Sequence, residues 1–184
     1  MKQIFSRSTT PTSQQELFST PSNVSASRFI SIYRVCLVKD ATVFFGKAFV
    51  NNSHQAHAVI QNLILTRGQP DREQFVVALL NAKNEIIGLN IVSVGVLSSA
   101  PIHPREVLKP AILANSSAMI LCHNHPSGDL TPSPDDLEVT RKIIKAADIV
   151  GIQVHEHIIL NLEDHHYFSF ADEGIIKKIY DDII

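Results

Sequence analysis

Residues 118–136, AMILCHNHPSGDLTPSPDD, decide how the rest of the chain is read. Ala118–Cys122 is a short continuous apolar run, the mark of a strand buried on both faces. Side chains alternate along a strand, so His123 and His125 at its end point the same way, with Cys122 pointing away from His123. Pro126-Ser127-Gly128 then bends the chain. Ser133 has the character of a helix N-cap, with Pro134 in the first helical position and Asp136 in the third, a capping box with a short acid. The pattern sets a carboxylate on the first turn of a helix next to two imidazoles on a strand end. Two neutral imidazoles and a carboxylate, with a fourth position left open, is the donor set of a catalytic zinc site. Taken alone, Ser-x-x-Asp is an ordinary cap and His-x-His an ordinary hydrogen-bonded pair; together, joined by a Pro/Gly turn after a core strand, they point to a metal.

Working outward, the spacing of Ala56, Val59, Ile60, Leu63 and Ile64 predicts a helix from Ser53, closed by Gly68-Gln69-Pro70. Phe75–Leu80 predicts a buried strand, Asn81–Glu85 a polar turn and Ile86–Leu97 a second strand. A helix is expected from Pro104 to about Asn115, kinked or broken at Pro110, which removes a backbone donor. Further expectations are a helix from Pro134 to about Val150 ended by Gly151, a strand over Ile152–Leu160, and a short helix over Asp172–Tyr180. Upstream, Ile30–Val38 and Val43–Val50 suggest a strand pair. Residues 1–27, dominated by Ser, Thr, Gln and Pro, read as a flexible tail, leaving 28–184 as one domain. Strands alternating with helices give an α/β or α+β layered fold, a mixed sheet covered by helices.

The chain has 184 residues, 45% of them hydrophobic, and 16 Lys+Arg against 18 Asp+Glu for a formal net charge of -2. That balance argues against binding nucleic acid chiefly by phosphate neutralisation, leaving a local basic patch as the one route to it. Two cysteines, Cys36 and Cys122, make no disulfide framework. They fit a reducing compartment, and with no signal peptide or apolar run near the ~20 residues that span a bilayer, a cytoplasmic location is expected.

His123-x-His125-Pro126, seven residues, then Ser133-x-x-Asp136 resembles the motif of the JAB/JAMM (MPN+) metallopeptidases. The form HNHPSGDxTPSxxD is similar to their bacterial RadC branch, over roughly Glu73–Gly174. It takes in APIHPREV at Ala100–Val107 and GIQVHEHIIL at Gly151–Leu160. The resemblance implies a cytidine-deaminase-like sheet with one zinc held by His123, His125 and Asp136, and a glutamate from an earlier strand as general acid/base. It further implies hydrolysis of a peptide or isopeptide bond in a protein or peptide substrate by metal-activated water. For the glutamate, Glu73 and Glu85 flank a strand of ~20 Å and cannot both reach one metal. Glu73 in Arg72-Glu73-Gln74-Phe75 matches the family's placement and is preferred, with Glu85 the alternative. Glu106 is explained by the dipole of its helix. Ser133 has two candidate roles, capping the helix and donating to an oxyanion as in JAMM-type sites.

Longer RadC proteins carry an N-terminal region of helix-hairpin-helix type, whose place the Ser/Thr-rich tail takes here. That departure, with the near-neutral charge, weighs against direct DNA binding; the rival function is a binding module associated with DNA repair or recombination, the RadC association, and a nuclease ranks lower. His-Asn-His as adjacent letters is no HNH nuclease motif, which is dispersed over its fold. His155-Glu156-His157 is no HExxH, because Ile159 stands where the second His belongs and the segment is a strand. It reads as an acid and imidazoles at a strand edge, with a supporting role for His157 as the alternative, while His165-His166 reads as a solvated turn. A zinc deaminase would need PCxxC, which is absent.

Overall fold

The computed structural model describes residues 31–42, 49–95 and 102–183. By internal contacts the chain divides between Arg34 and Val35, and every element below belongs to the second part. The order is α1 (Ser53–Arg67), β1 (Gln74–Leu80), β2 (Ile86–Val94), α2 (Pro104–Leu113), β3 (Ala118–Asn124), α3 (Pro134–Ile149), β4 (Gln153–Leu160), β5 (Tyr167–Ser169) and α4 (Ile175–Asp181). The five strands form one mixed sheet, ordered β2-β1-β3-β4-β5. β3 runs antiparallel to β1 and parallel to β4, the outer pairs being antiparallel. The fold is α+β.

All seven residues of β1 and all seven of β3 are buried, because helices cover both faces of the sheet. Alternation sorts them into two layers. Phe75, Val77, Leu79, Met119 and Leu121 pack with α2, α3 and α4, whereas Val76, Ala78, Leu80, Ile120 and Cys122 pack with α1. The β1–β3 register pairs Phe75 with His123, and one end of the sheet therefore collects the start of β1, the end of β3 and the N-terminus of α3.

Several expectations are corrected. Residues 31–38 form no strand: Ile32 is 96% and Val38 87% exposed, and among the described residues this β-prone segment has neither a partner ladder nor a face to bury. Residues 43–48 lie outside the described residues, as do 96 and 97 of the expected second strand, while Phe49 makes a single bridge to Glu85. α2 continues through Pro110 to Leu113, the buried ring offsetting one lost hydrogen bond. Its end comes two residues before the expected Asn115. β5 was not expected, being only three residues long. Finally, His155–His157 lies before the stretch of β4 that pairs with β5, an edge position as expected, yet Glu156 and His157 are buried there. The last helix starts at Ile175 rather than Asp172.

Candidate metal centre

The end of β3 delivers its histidines as alternation requires. His123 is fully buried, stacked parallel to the Phe75 ring at 6.2 Å, and its Nε2 lies 3.0 Å from Nε2 of His125. Cys122 falls in the α1 layer, where burial, with Glu156 adding, pushes its thiol well above the ordinary range. After His125 the chain turns through Gly128, whose φ of +77° is the left-handed region that favours glycine. The turn returns the Asp129 carbonyl to accept from Nδ1 of His125.

α3 supplies the acid. Asp136 is 3% exposed, with Oδ1 3.2 Å from His123 Nε2 and Oδ2 3.8 Å from His125 Nε2. The capping box is complete: Asp136 N–H donates to Ser133 Oγ at 3.1 Å, and Ser133 N–H donates back to Asp136 Oδ2 at 2.8 Å. The Ser133 hydroxyl also donates to Oδ2, at 2.6 Å. Burial acts to raise the Asp136 carboxyl, but the bond and charge of His123, present when its ring holds both protons, and the two bonds from Ser133 outweigh it. They hold the group well below the usual carboxylate range.

Glu73 completes the cluster. Continued one step past Gln74, the β1–β3 register brings it opposite His125, and ligand atoms of Glu73, His123 and His125 lie within 4.8 Å of one another. Glu85 is at the far end of β1, where its carboxylate accepts from Asn81 Nδ2 at 2.6 Å. Glu106 is exposed on α2 and paired with Lys109. The structure thus brings together His123, His125, Asp136, Ser133 and Glu73, and leaves Glu85 and Glu106 apart.

Two residues that the sequence reading did not single out, Asn124 and Thr140, and His157, for which it gave a supporting role as the alternative, hold the site together. Asn124, fully buried between the two histidines, accepts from Gln74 N–H and donates to the Arg72 carbonyl, both at 2.9 Å, clamping the backbone on either side of Glu73. His157 Nε2 lies 2.8 Å from His123 Nδ1, and His157 Nδ1 lies 2.6 Å from the Thr140 hydroxyl. A β-bulge brings His157 here: Met119 pairs with Val154 but Ile120 with Glu156, and skipping His155 turns His157 to the His123 side. Burial, with His123 and His125 adding to it against Asp136, pushes His157 well below its usual range and keeps it neutral. Of the two not singled out, Thr140 alone had a readable signal, its place one helical turn after Asp136.

The donor chemistry fits zinc. Imidazole nitrogens and carboxylate oxygens are zinc donors at about 2.0–2.2 Å, and tetrahedral donors around such an ion stand about 3.3 Å apart. The separations of 3.0 and 3.2 Å from His123 Nε2 match that spacing.

Comparison with known proteins agrees with this geometry. The profile of the family described as "RadC-like JAB domain" matches residues 50–175. The chain belongs to the RadC-like JAB domain family. This RadC-like domain is 50% identical over 106 residues to a UPF0758 protein of Rubrobacter xylanophilus, covering 58% of the chain and 45% of the relative. A UPF0758 protein of Desulfitobacterium hafniense is 45% identical over 129 residues, covering 69% and 54%. One from Staphylococcus haemolyticus is 37% identical over 151 residues, covering 79% and 65%. The chain spans about half the length of the curated relatives it matches first. Among the described residues, no helix is long and apolar enough to cross a membrane.

Proposed function

We propose that this RadC-like domain is a zinc-dependent metallopeptidase or isopeptidase, with His123, His125 and Asp136 holding one metal ion and Glu73 moving the proton. The observation that carries the reading is the convergence of two imidazole Nε2 atoms and a buried, ionised carboxylate, with a second carboxylate on the neighbouring strand. A zinc ion at such a site polarises a carbonyl and makes water acidic enough to lose a proton near pH 7.

The chain's own residues divide the remaining work. Asp136 suits a ligand because its helix cap fixes it and it stays ionised, whereas Glu73, only half-buried, suits a carboxylate that takes a proton and passes it to a leaving amine. Three protein ligands leave the open position that catalysis needs. Ser133 has one hydroxyl proton, and it lies on Asp136. Orienting that carboxylate is therefore its first role, and donating to an oxyanion requires the hydroxyl to rotate away.

The test is zinc content and hydrolysis of peptide and isopeptide substrates in three proteins. Glu73→Gln is expected to keep zinc and lose activity by about 10²–10⁴-fold, and Asp136→Asn to lose zinc. If Asp136→Asn keeps zinc and Glu73→Gln loses it, Glu73 is the ligand and the roles exchange. A native protein that binds zinc but cleaves no peptide or isopeptide bond defeats the peptidase reading in favour of a binding module.

A further inference from the structure

We infer that Thr140 and His157 form a relay that fixes which nitrogen of His123 carries the proton, holding its Nε2 lone pair ready for the metal; the inference rests on His123 being a ligand. The direction of every bond follows from one acceptor that cannot donate. The backbone carbonyl of Asp136 lies 2.5 Å from the Thr140 hydroxyl and can only accept, so it takes the single Thr140 proton. At 2.6 Å, His157 Nδ1 must then donate to Thr140, because the hydroxyl has no second proton to give. A neutral ring protonated on Nδ1 bears a lone pair on Nε2. The 2.8 Å contact with His123 is therefore a donation from His123 Nδ1–H, so that Nε2 is the nitrogen with the lone pair whenever the His123 ring is neutral. The bonds decide which nitrogen carries the proton in each neutral ring.

His125 reaches the same state by a shorter route, donating its Nδ1–H to the Asp129 carbonyl. Two lone pairs then face each other 3.0 Å apart, an arrangement that repels unless a cation lies between them. Flipping the His157 ring would turn carbon toward Thr140 and His123 and lose both bonds. The ring is fully buried, stacked on Phe170 at 4.7 Å and edge-on to Phe75 at 5.6 Å. The relay also closes on the site, since Asp136 contributes its carboxylate to the cluster and its carbonyl to the far end of the chain of bonds. Thr140 and His157 are positioning residues and touch no reacting atom.

The test uses the full chain without metal, its histidines labelled with nitrogen-15, and long-range proton–nitrogen correlation to assign each tautomer. Native His123 and His157 are expected to carry their protons on Nδ1. Thr140→Val is expected to redistribute both tautomers and weaken zinc binding, measured by competition with a chelator, by about 10–100-fold. Thr140→Ser, which restores the hydroxyl, is expected to restore both readouts. A native His123 protonated on Nε2, or a folded Thr140→Val with unchanged tautomers and zinc affinity, overturns the relay. His123→Ala separates the two levels: if it binds zinc as tightly as the native protein, the ligand reading fails and the relay with it. If it loses zinc while Thr140→Val does not, the relay alone fails.

Discussion

Asn124 shows how one side chain controls a neighbour it does not resemble. Its amide bridges Arg72 and Gln74, and the residue between them is Glu73. Asn124→Ala is expected to cost about 1–3 kcal/mol of stability, because Gln74 N–H and Arg72 C=O lose their partner in a dry site. A carboxylate displaced by 1 Å loses about 10²-fold in rate, so peptidase activity should fall by 10- to 100-fold while bound zinc stays at the native level. Zinc lost in parallel with activity would show that Asn124 supports the histidines instead. The capping box has a similar reach. With Oδ2 of Asp136 already accepting twice from Ser133, Oδ1 is the oxygen left to face His123, a single-oxygen donor of the kind zinc accepts. His123, His125, Ser133 and Asp136 were legible because spacing along a strand and at a helix start is local. Asn124 was not, because its partners are about fifty residues away and its letter between two histidines carries no sign of them.

At the scale of elements, β4 is the strand whose sequence says least about its task. His155-Glu156-His157 has the polarity of an edge strand, yet Glu156 is 5% exposed and His157 fully buried. A bulge that turns His157 inward and the Ser169–Ala171 stretch that bonds Glu156 account for the difference, and neither has a periodic signature. Burial pushes the Glu156 carboxyl up, against hydrogen bonds from Ser169, Ala171 N–H and His157 N–H. A carboxyl raised in the folded state keeps its proton after the unfolded chain has lost it, so its contribution to stability is present below about pH 4 and falls as pH rises through the folded value. Glu156→Gln removes that slope. Relative to the native protein the variant is expected to gain stability between about pH 4 and 7, read from urea unfolding midpoints at several pH values; a relative loss over that range would refute the assignment. The strongly periodic elements behaved as their pattern implied, α1 beginning at Ser53 and closing at Gly68, α3 running from Pro134 to Ile149. The exposed segment 31–38 carries a strand-like composition but pairs with no strand among the described residues.

For the whole domain, the two apolar layers run the length of the sheet, with the metal cluster packed at one end of one of them. The protein stripped by a chelator should therefore remain folded with one cooperative thermal transition. Zinc at about a hundred times its dissociation constant should add about 2.7 kcal/mol, or a Tm rise of about 5–10 °C for a domain of this size. Loss of the transition on chelation would assign the ion a structural role. The layered fold was legible because each buried strand announces itself by composition and length, whereas the strand order is not written in any local segment. That order also gives the molecule two unlike poles. The reactive groups gather where β1 begins and β3 ends, while the opposite pole is made of short connections such as the turn between Asn81 and Glu85, closed by its own backbone bonds. Ala82 and Lys83 at its tip are exposed, and a fluorophore, an affinity handle or a tether to a surface attached there leaves the working end unobstructed.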